Sequence, residues 1–137
     1  MDGCVFCRII EGESPAYRVL EDEHCLAFLD IAPASPGHCL VVPRRHVRDL
    51  WEISDETHQD VSHMVHRVAA LLRTALAPDG MNVNNSTGEA GGQEVPHFHT
   101  HVVPRWHGDS LRPIWAGRRA TPGDLERILS KLRDVRL

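Results

Sequence analysis

The segment His97-Phe98-His99-Thr100-His101 places three imidazoles at alternate positions. A β-strand turns residues i, i+2 and i+4 to one face, so a strand here lines the three rings up on one surface. Imidazole has an unperturbed pKa of roughly 6.5, which suits a row of them to proton transfer, nucleophilic attack or metal binding. Spacing separates these uses. Alternate strand residues lie about 6.8 Å apart, and i and i+4 about 13.6 Å. Nitrogen ligands on one zinc converge to within about 4 Å of each other. Two alternate histidines can chelate, but three on a straight strand cannot easily share one ion. Phe98, Val102 and Val103 give the segment apolar side chains to bury, which sets it apart from a polar, histidine-rich surface.

Two more groups have chemistry in them. Gly88-Glu89-Ala90-Gly91-Gly92-Gln93 precedes the histidine row. Glycines let backbone N–H groups approach a ligand with no Cβ in the way, and successive N–H groups make an anion nest suited to phosphate. Cys4-x-x-Cys7 has the spacing of either a zinc knuckle or a redox pair. No thioredoxin-like βαβ start follows it, which weakens the redox reading. Cys25 and Cys39 sit in apolar strands and read as core residues.

These groups must be held by regular elements. Residues 5–10 form a short helix with Gly12 beyond it, and Ser14-Pro15 breaks the chain direction. Residues 17–21 and 24–30 read as a strand hairpin, and 38–42 as a compact apolar strand ended by Pro43. Val61, Met64, Val65, Val68, Leu71, Leu72 and Leu76 recur at helical spacing. They predict a helix over 54–77, capped by Ser54 and stopped by Pro78-Asp79-Gly80. Strands follow at 81–85 and 97–103. A last helix starts at Thr121-Pro122, with Leu125, Ile128, Leu129 and Leu132 as its apolar stripe. Hairpin-linked strands between helices imply an α+β architecture, an antiparallel sheet with the helices against one face.

A chain of 137 residues suits one domain, 1–137. Its net charge of −4 and pI near 6.2 give no electrostatic case for nucleic-acid binding. Arg105, Arg112, Arg118 and Arg119 gather late, as a solvated face or as a receiver of phosphate or an acidic partner. No apolar run approaches the roughly 18–20 residues of a membrane span. The start Met1-Asp2-Gly3-Cys4 lacks the basic and apolar regions of a signal peptide. A reducing cytoplasm is the expected location. His24, His58, His63, His66 and His107 read as solvated.

Several blocks are similar to one family. They are Cys4-Val5-Phe6-Cys7-Arg8-Ile9-Ile10-Glu11-Gly12-Glu13-Ser14-Pro15, Phe28-Leu29-Asp30-Ile31, Pro36-Gly37-His38, Val42-Pro43-Arg44-Arg45-His46 and Gly92-Gln93-Glu94-Val95-Pro96 ahead of the histidine row. Together they resemble the histidine triad (HIT) family, in its bacterial Hint-like branch. The resemblance implies a HIT-like fold: a five-stranded antiparallel sheet with a long helix packed on it, a short helix in a zinc-knuckle start at 1–12 and a C-terminal helix in 120–137. It implies a nucleotide hydrolase that cleaves purine nucleoside phosphoramidates, derivatives of AMP or GMP, at the α-phosphorus through a nucleotidyl-histidine intermediate.

The roles carry over residue by residue. His99 is the nucleophile, His38 its neighbour that fixes the tautomer, and His101 a donor to phosphate oxygens. Gly92 and Gln93, by backbone and by the Gln93 side chain, hold the phosphate. Phe28 and Ile31 make an apolar slot for the base, and Asp30 accepts from the ribose diol. Asn85, or else Ser86, takes the place of the family's asparagine. Cys4, Cys7, His46 and His97 make a closed structural zinc site. A homodimer joined edge to edge is expected. Two positions depart from the family pattern. Glu94 stands in the nucleotide site where many members have Ser or Thr, and a carboxylate there repels an anionic phosphate. Thr100 stands where an apolar residue is usual. Two other readings remain: a dinucleoside polyphosphate hydrolase whose 106–119 tail grips the longer chain, and a nucleotide-binding regulatory module with little turnover.

Overall fold

The computed structural model describes residues 3–112, 115 and 117–137. Met1 and Asp2 of the expected start, and Pro113, Ile114 and Ala116 of the expected tail, lie outside them. Five strands, β1 (Arg18–Glu21), β2 (Cys25–Leu29), β3 (Cys39–Pro43), β4 (Gly80–Asn85) and β5 (Thr100–Arg105), form one sheet in the order β1-β2-β3-β5-β4. Every neighbouring pair is antiparallel. Among the described residues three α-helices accompany it: α1 (Val5–Ile10), α2 (Asp55–Leu76) and α3 (Pro122–Arg133).

Period-two alternation divides the sheet into two buried faces. Cys25, Ala27, Cys39, Val41 and Val102 meet Val61, Met64, Val68 and Leu72 of α2. Leu26, Phe28, Leu40 and Val42 point the other way, onto Phe6, Cys7 and Ile9 of α1. Helices α1 and α2 therefore lie on opposite faces, a correction to the expected one-sided packing. A helix of only six residues suffices for the second face because Phe6 and Ile9 each bury most of their surface. Burial of such side chains stabilises by roughly 1.5–3 kcal/mol each.

The long helix ends where its caps dictate. The Ser54 hydroxyl accepts from the Thr57 N–H, and Asp55 and Glu56 occupy the positive first turn. At the other end Ala77 takes a left-handed conformation, φ 48°, and Pro78 follows. An alanine in that region costs about 1 kcal/mol, and Pro78 leaves the helix no way to continue. Just before β3, Gly37 turns with φ +87°, and a Cβ there would come within 2.6 Å of Leu76 Cδ1. Only glycine lets the chain pass this close to the end of α2 and deliver His38 to the sheet.

The last strand starts later and ends later than its composition predicts. It begins at Thr100 because the Phe98 N–H turns out of the sheet to the Val47 carbonyl, 2.7 Å away. It runs through Pro104 because β3 pairs only as far as Val102, leaving a neighbour on one side alone. Helix α3 begins as expected, with Thr121 capping and Pro122 in the first turn. Its apolar stripe is uncovered: Leu125, Ile128, Leu129 and Leu132 are all exposed.

Candidate active site

The histidine row emerges beside the β3–β5 pair, and backbone groups decide where its protons sit. His99 Nδ1 lies 2.7 Å from the His97 carbonyl oxygen. A carbonyl can only accept, so the proton is on Nδ1 and Nε2 keeps its lone pair. Burial holds the His99 pKa below the usual histidine range, which keeps the ring neutral and nucleophilic. The Phe6 ring meets it edge-on, centroids 5.1 Å apart. On the other side, Asn85 Nδ2 donates to the His99 carbonyl at 2.8 Å, fixing the main chain beneath the ring.

A second proton chain begins at Ala34. Its N–H donates to His38 Nδ1 at 3.0 Å, so the His38 proton must be on Nε2. That Nε2 is 2.9 Å from His101 Nδ1, which therefore accepts. His101 is left with its own proton on Nε2, a fixed donor. Burial, then the neighbouring His99 and His38, push the His101 pKa down to about 4. Burial also lowers that of His38, against the pull of Asp30. The hydrogen-bond partner of His38 is thus His101, and the expected tautomer-fixing contact from His38 to His99 is replaced by the His97 carbonyl.

His97 turns its ring away from this chain. Its Nε2–H donates to the Pro43 carbonyl at 2.9 Å, which frees the Nδ1 lone pair. Nδ1 lies 3.3 Å from Cys4 Sγ and 3.5 Å from Cys7 Sγ, and Cys7 Sγ lies 3.3 Å from His46 Nδ1. The four donor atoms fall within 4.8 Å of one another. Tetrahedral zinc with ordinary bond lengths separates a sulfur from a nitrogen by about 3.5 Å, so the set fits that ion. The Pro43 carbonyl supplies the outer contact that metal-bound imidazoles need. Asp30, His38 and His101 also bring donor atoms within 4.8 Å of one another. There the His38 proton on Nε2 makes the contact a hydrogen bond, and neither imidazole keeps a lone pair for a metal.

A cleft of about 610 Å³ opens beside His99 and His101. Phe28, Asp30 and Ile31 line it as expected, with Ile31 at its rim, 87% exposed. Asp30 Oδ1 accepts from the Ala32 N–H at 2.8 Å, which orients the carboxylate. Val5, Phe6 and Ile9 of α1 form a wall that sequence reasoning did not assign. Their one-and-four spacing on a short helix beside the two thiols was the available signal.

The glycine loop is built differently from a phosphate nest. Gly91, Gly92 and Gln93 spend their N–H groups on the carbonyls of Gly88 and Glu89 in a tight turn. The Gln93 side chain accepts from the Gly88 N–H at 2.9 Å and donates to the carbonyls of Arg48 and Val95, at 2.7 and 3.1 Å. Gln93 therefore braces the loop and has no donor left for phosphate, contrary to expectation; Gly92 meets the cleft, but not with its N–H. Glu94 and Val95 both line the cleft, and their N–H groups make no hydrogen bond to another described residue. Glu94 is exposed and lines the cleft. Thr100 is buried on the α2 face, away from the histidine rings.

Of the late arginines, Arg105 is committed to Asp109 through two hydrogen bonds of 2.7 and 2.8 Å, and to Asn82 and the Leu111 carbonyl. Arg105 and Arg112 line a second cavity, of about 270 Å³, beyond His38 and His101. Arg118 and Arg119 are exposed. So are His24, His58, His63, His66 and His107.

Comparison with known proteins agrees with this geometry. The HIT domain family matches residues 11–108. A Schizosaccharomyces pombe protein named adenosine 5′-monophosphoramidase is 35% identical over 135 residues, 95% of this chain and 98% of that protein. A crystal structure of a HIT family member from Bacillus subtilis superposes with a TM-score of 0.90 at 37% identity, covering 99% of both chains. A zinc-bound histidine triad family protein from Mycobacterium smegmatis does so at 0.77 and 40% identity, covering 96% of both.

Proposed function

The chain belongs to the HIT domain family, and from that premise we propose that it is a nucleotide hydrolase cleaving purine nucleoside 5′-phosphoramidates at the α-phosphorus. One observation carries the reading: the His97 carbonyl holds the Nδ1–H of His99 at 2.7 Å, so a neutral ring offers its Nε2 lone pair beside a nucleotide-sized cleft. The relative named for phosphoramidase activity supports the substrate class.

The nucleoside enters with its base between Phe28, Ile31 and the α1 wall, and its ribose against Asp30. The N–H groups of Glu94 and Val95 and the Nε2–H of His101 hold the phosphoryl oxygens. Donors fixed in advance stabilise the charge that gathers on those oxygens in the transition state. His99 Nε2 forms a bond to phosphorus while the phosphorus–amine bond breaks. Water then attacks phosphorus, the bond to Nε2 breaks, and the nucleoside monophosphate departs. The amine takes up one proton and the attacking water releases one, so the count closes. A covalent intermediate divides one hard substitution into two easier ones.

Cys4, Cys7, His46 and His97 hold a structural zinc in this reading, which would tie α1 to the residue whose carbonyl orients His99. With all four positions filled by protein, the ion has no place for substrate or water. A homodimer and a cytoplasmic location complete the proposal, and the uncovered stripe of α3 leaves an apolar surface for a second copy.

The test is release of AMP from adenosine 5′-phosphoramidate, with acid-quenched protein searched for AMP on His99. Wild type should turn over and show the adduct, and His99→Ala should lose at least about 10³-fold in rate. Undiminished turnover by His99→Ala would overturn the assignment.

A further inference from the structure

The residues lining the main cleft include two carboxylates, Asp30 and Glu94, and among the described residues no lysine or arginine. This is unusual company for a phosphate ester. Asp30 is half-buried and turned by its bond to the Ala32 N–H, and in the proposed function the ribose occupies it. Glu94 is exposed, and none of the ion pairs among the described residues includes it. It directly precedes Val95, which lines the same cleft. Arg105 and Arg112 line the other cavity, and Arg105 is already neutralised by Asp109.

We infer that Glu94 selects the leaving group, and that the preferred substrates are nucleoside phosphoramidates whose amine carries a second, positively charged group, such as a diamine or a lysine-like side chain. The inference rests on the phosphoramidase reading and deepens it. Two unit charges a few ångströms apart at a wetted rim change a rate by about tenfold. The sign follows from the carboxylate. An ammonium on the departing amine is attracted, a neutral alkyl group is indifferent, and a carboxylate or an additional phosphate is repelled. The same repulsion weighs against dinucleoside polyphosphates, which bring several negative charges into a cleft with no lysine or arginine among its described lining residues. Because the site is open to solvent, the preference must shrink with added salt.

The experiment compares three adenosine 5′-phosphoramidates of matched length, made from ethylenediamine, propylamine and β-alanine. Wild type should show kcat/KM in the order ammonium, neutral, carboxylate, with about tenfold between successive members at low salt. The spread should contract in half-molar salt and collapse in Glu94→Gln. A flat series in wild type, or an unchanged order in Glu94→Gln, would overturn the inference. Equilibrium affinities of three uncleavable 5′-O-sulfamoyladenosines with the same tails read the charge preference without turnover. If these follow the predicted order and lose it in Glu94→Gln while no phosphoramidate is cleaved, the charge selection stands and the hydrolase reading falls. If they are equal, the selection itself is wrong.

Discussion

His97 and His99 are joined by a 2.7 Å hydrogen bond from the ring of one to the carbonyl of the other, while the His97 ring faces Cys4 and Cys7. One residue thus belongs to two centres. Its side chain completes the thiol–imidazole cluster, and its main chain sets the tautomer of His99.

Chelation should therefore reach both centres. Removing zinc with a strong chelator should lower the thermal midpoint by at least about 5 °C, since a ligand bound only by the folded state stabilises it. The thiols give an independent readout. Burial pushes Cys25 up to about 12 and Cys39 up to about 11, so both stay unreactive in the folded chain. A thiol reagent should count two accessible groups, Cys4 and Cys7, only after chelation. Purified protein with no bound metal and an unmoved midpoint would contradict the site.

The two proton chains predict a spectrum. At neutral pH, nitrogen NMR should report His99 as the Nδ1–H tautomer and His101 as the Nε2–H tautomer, and His38→Ala should leave His101 a mixture. A pH effect follows. The His101 pKa is lowered to about 4 in the folded protein against roughly 6.5 unfolded. As pH falls through that window the unfolded chain takes up a proton that the folded chain refuses, so stability present above it is lost. The thermal midpoint of wild type should drop from pH 6.5 to 4 more steeply than that of His101→Gln. Parallel curves would show that His101 is not held neutral.

Gln93 should behave as a positioning residue. Gln93→Ala removes a brace between Gly88, Arg48 and Val95 and releases the loop that aims the Glu94 and Val95 N–H groups. We expect kcat to fall about tenfold, AMP affinity to change less than about threefold, and stability to fall by about 1 kcal/mol. A large loss of affinity with unchanged kcat would mean that the amide meets the nucleotide directly.

Phe6 is the keystone of the α1 wall, in edge contact with His99 and with Phe28, whose ring centroid lies 5.6 Å away. Phe6→Ala should weaken AMP binding roughly tenfold and cost about 3 kcal/mol in urea unfolding. Full affinity in a folded variant would remove α1 from the nucleoside site.

Local signals carried most of the framework. Ser54, the acidic first turn and Pro78 mark α2 to within a residue at each end, and short apolar runs mark β2 and β3. The Thr100 start of β5 was illegible because it depends on a bond from Phe98 to Val47, which no period reveals. The thiols, His46 and His97 come together as the resemblance implied. Gln93 was misread for a physical reason: an amide next to a phosphate-binding loop can donate to a ligand or to distant carbonyls, and only folding decides which. The second layer under α1 was missed because six residues are too few for periodicity to speak.

The proton positions of His38, His97 and His99 are set by the peptide groups of residues 34, 43 and 97. Such contacts are silent in a protein's alphabet. Any residue but proline can stand at 34 without altering the N–H it contributes, and any residue at 43 without altering the carbonyl. Drift at these places is therefore free as long as the chain keeps its path. The same fact sets a limit for redesign: swapping nearby side chains will not give His99 a different tautomer, and only moving the backbone will.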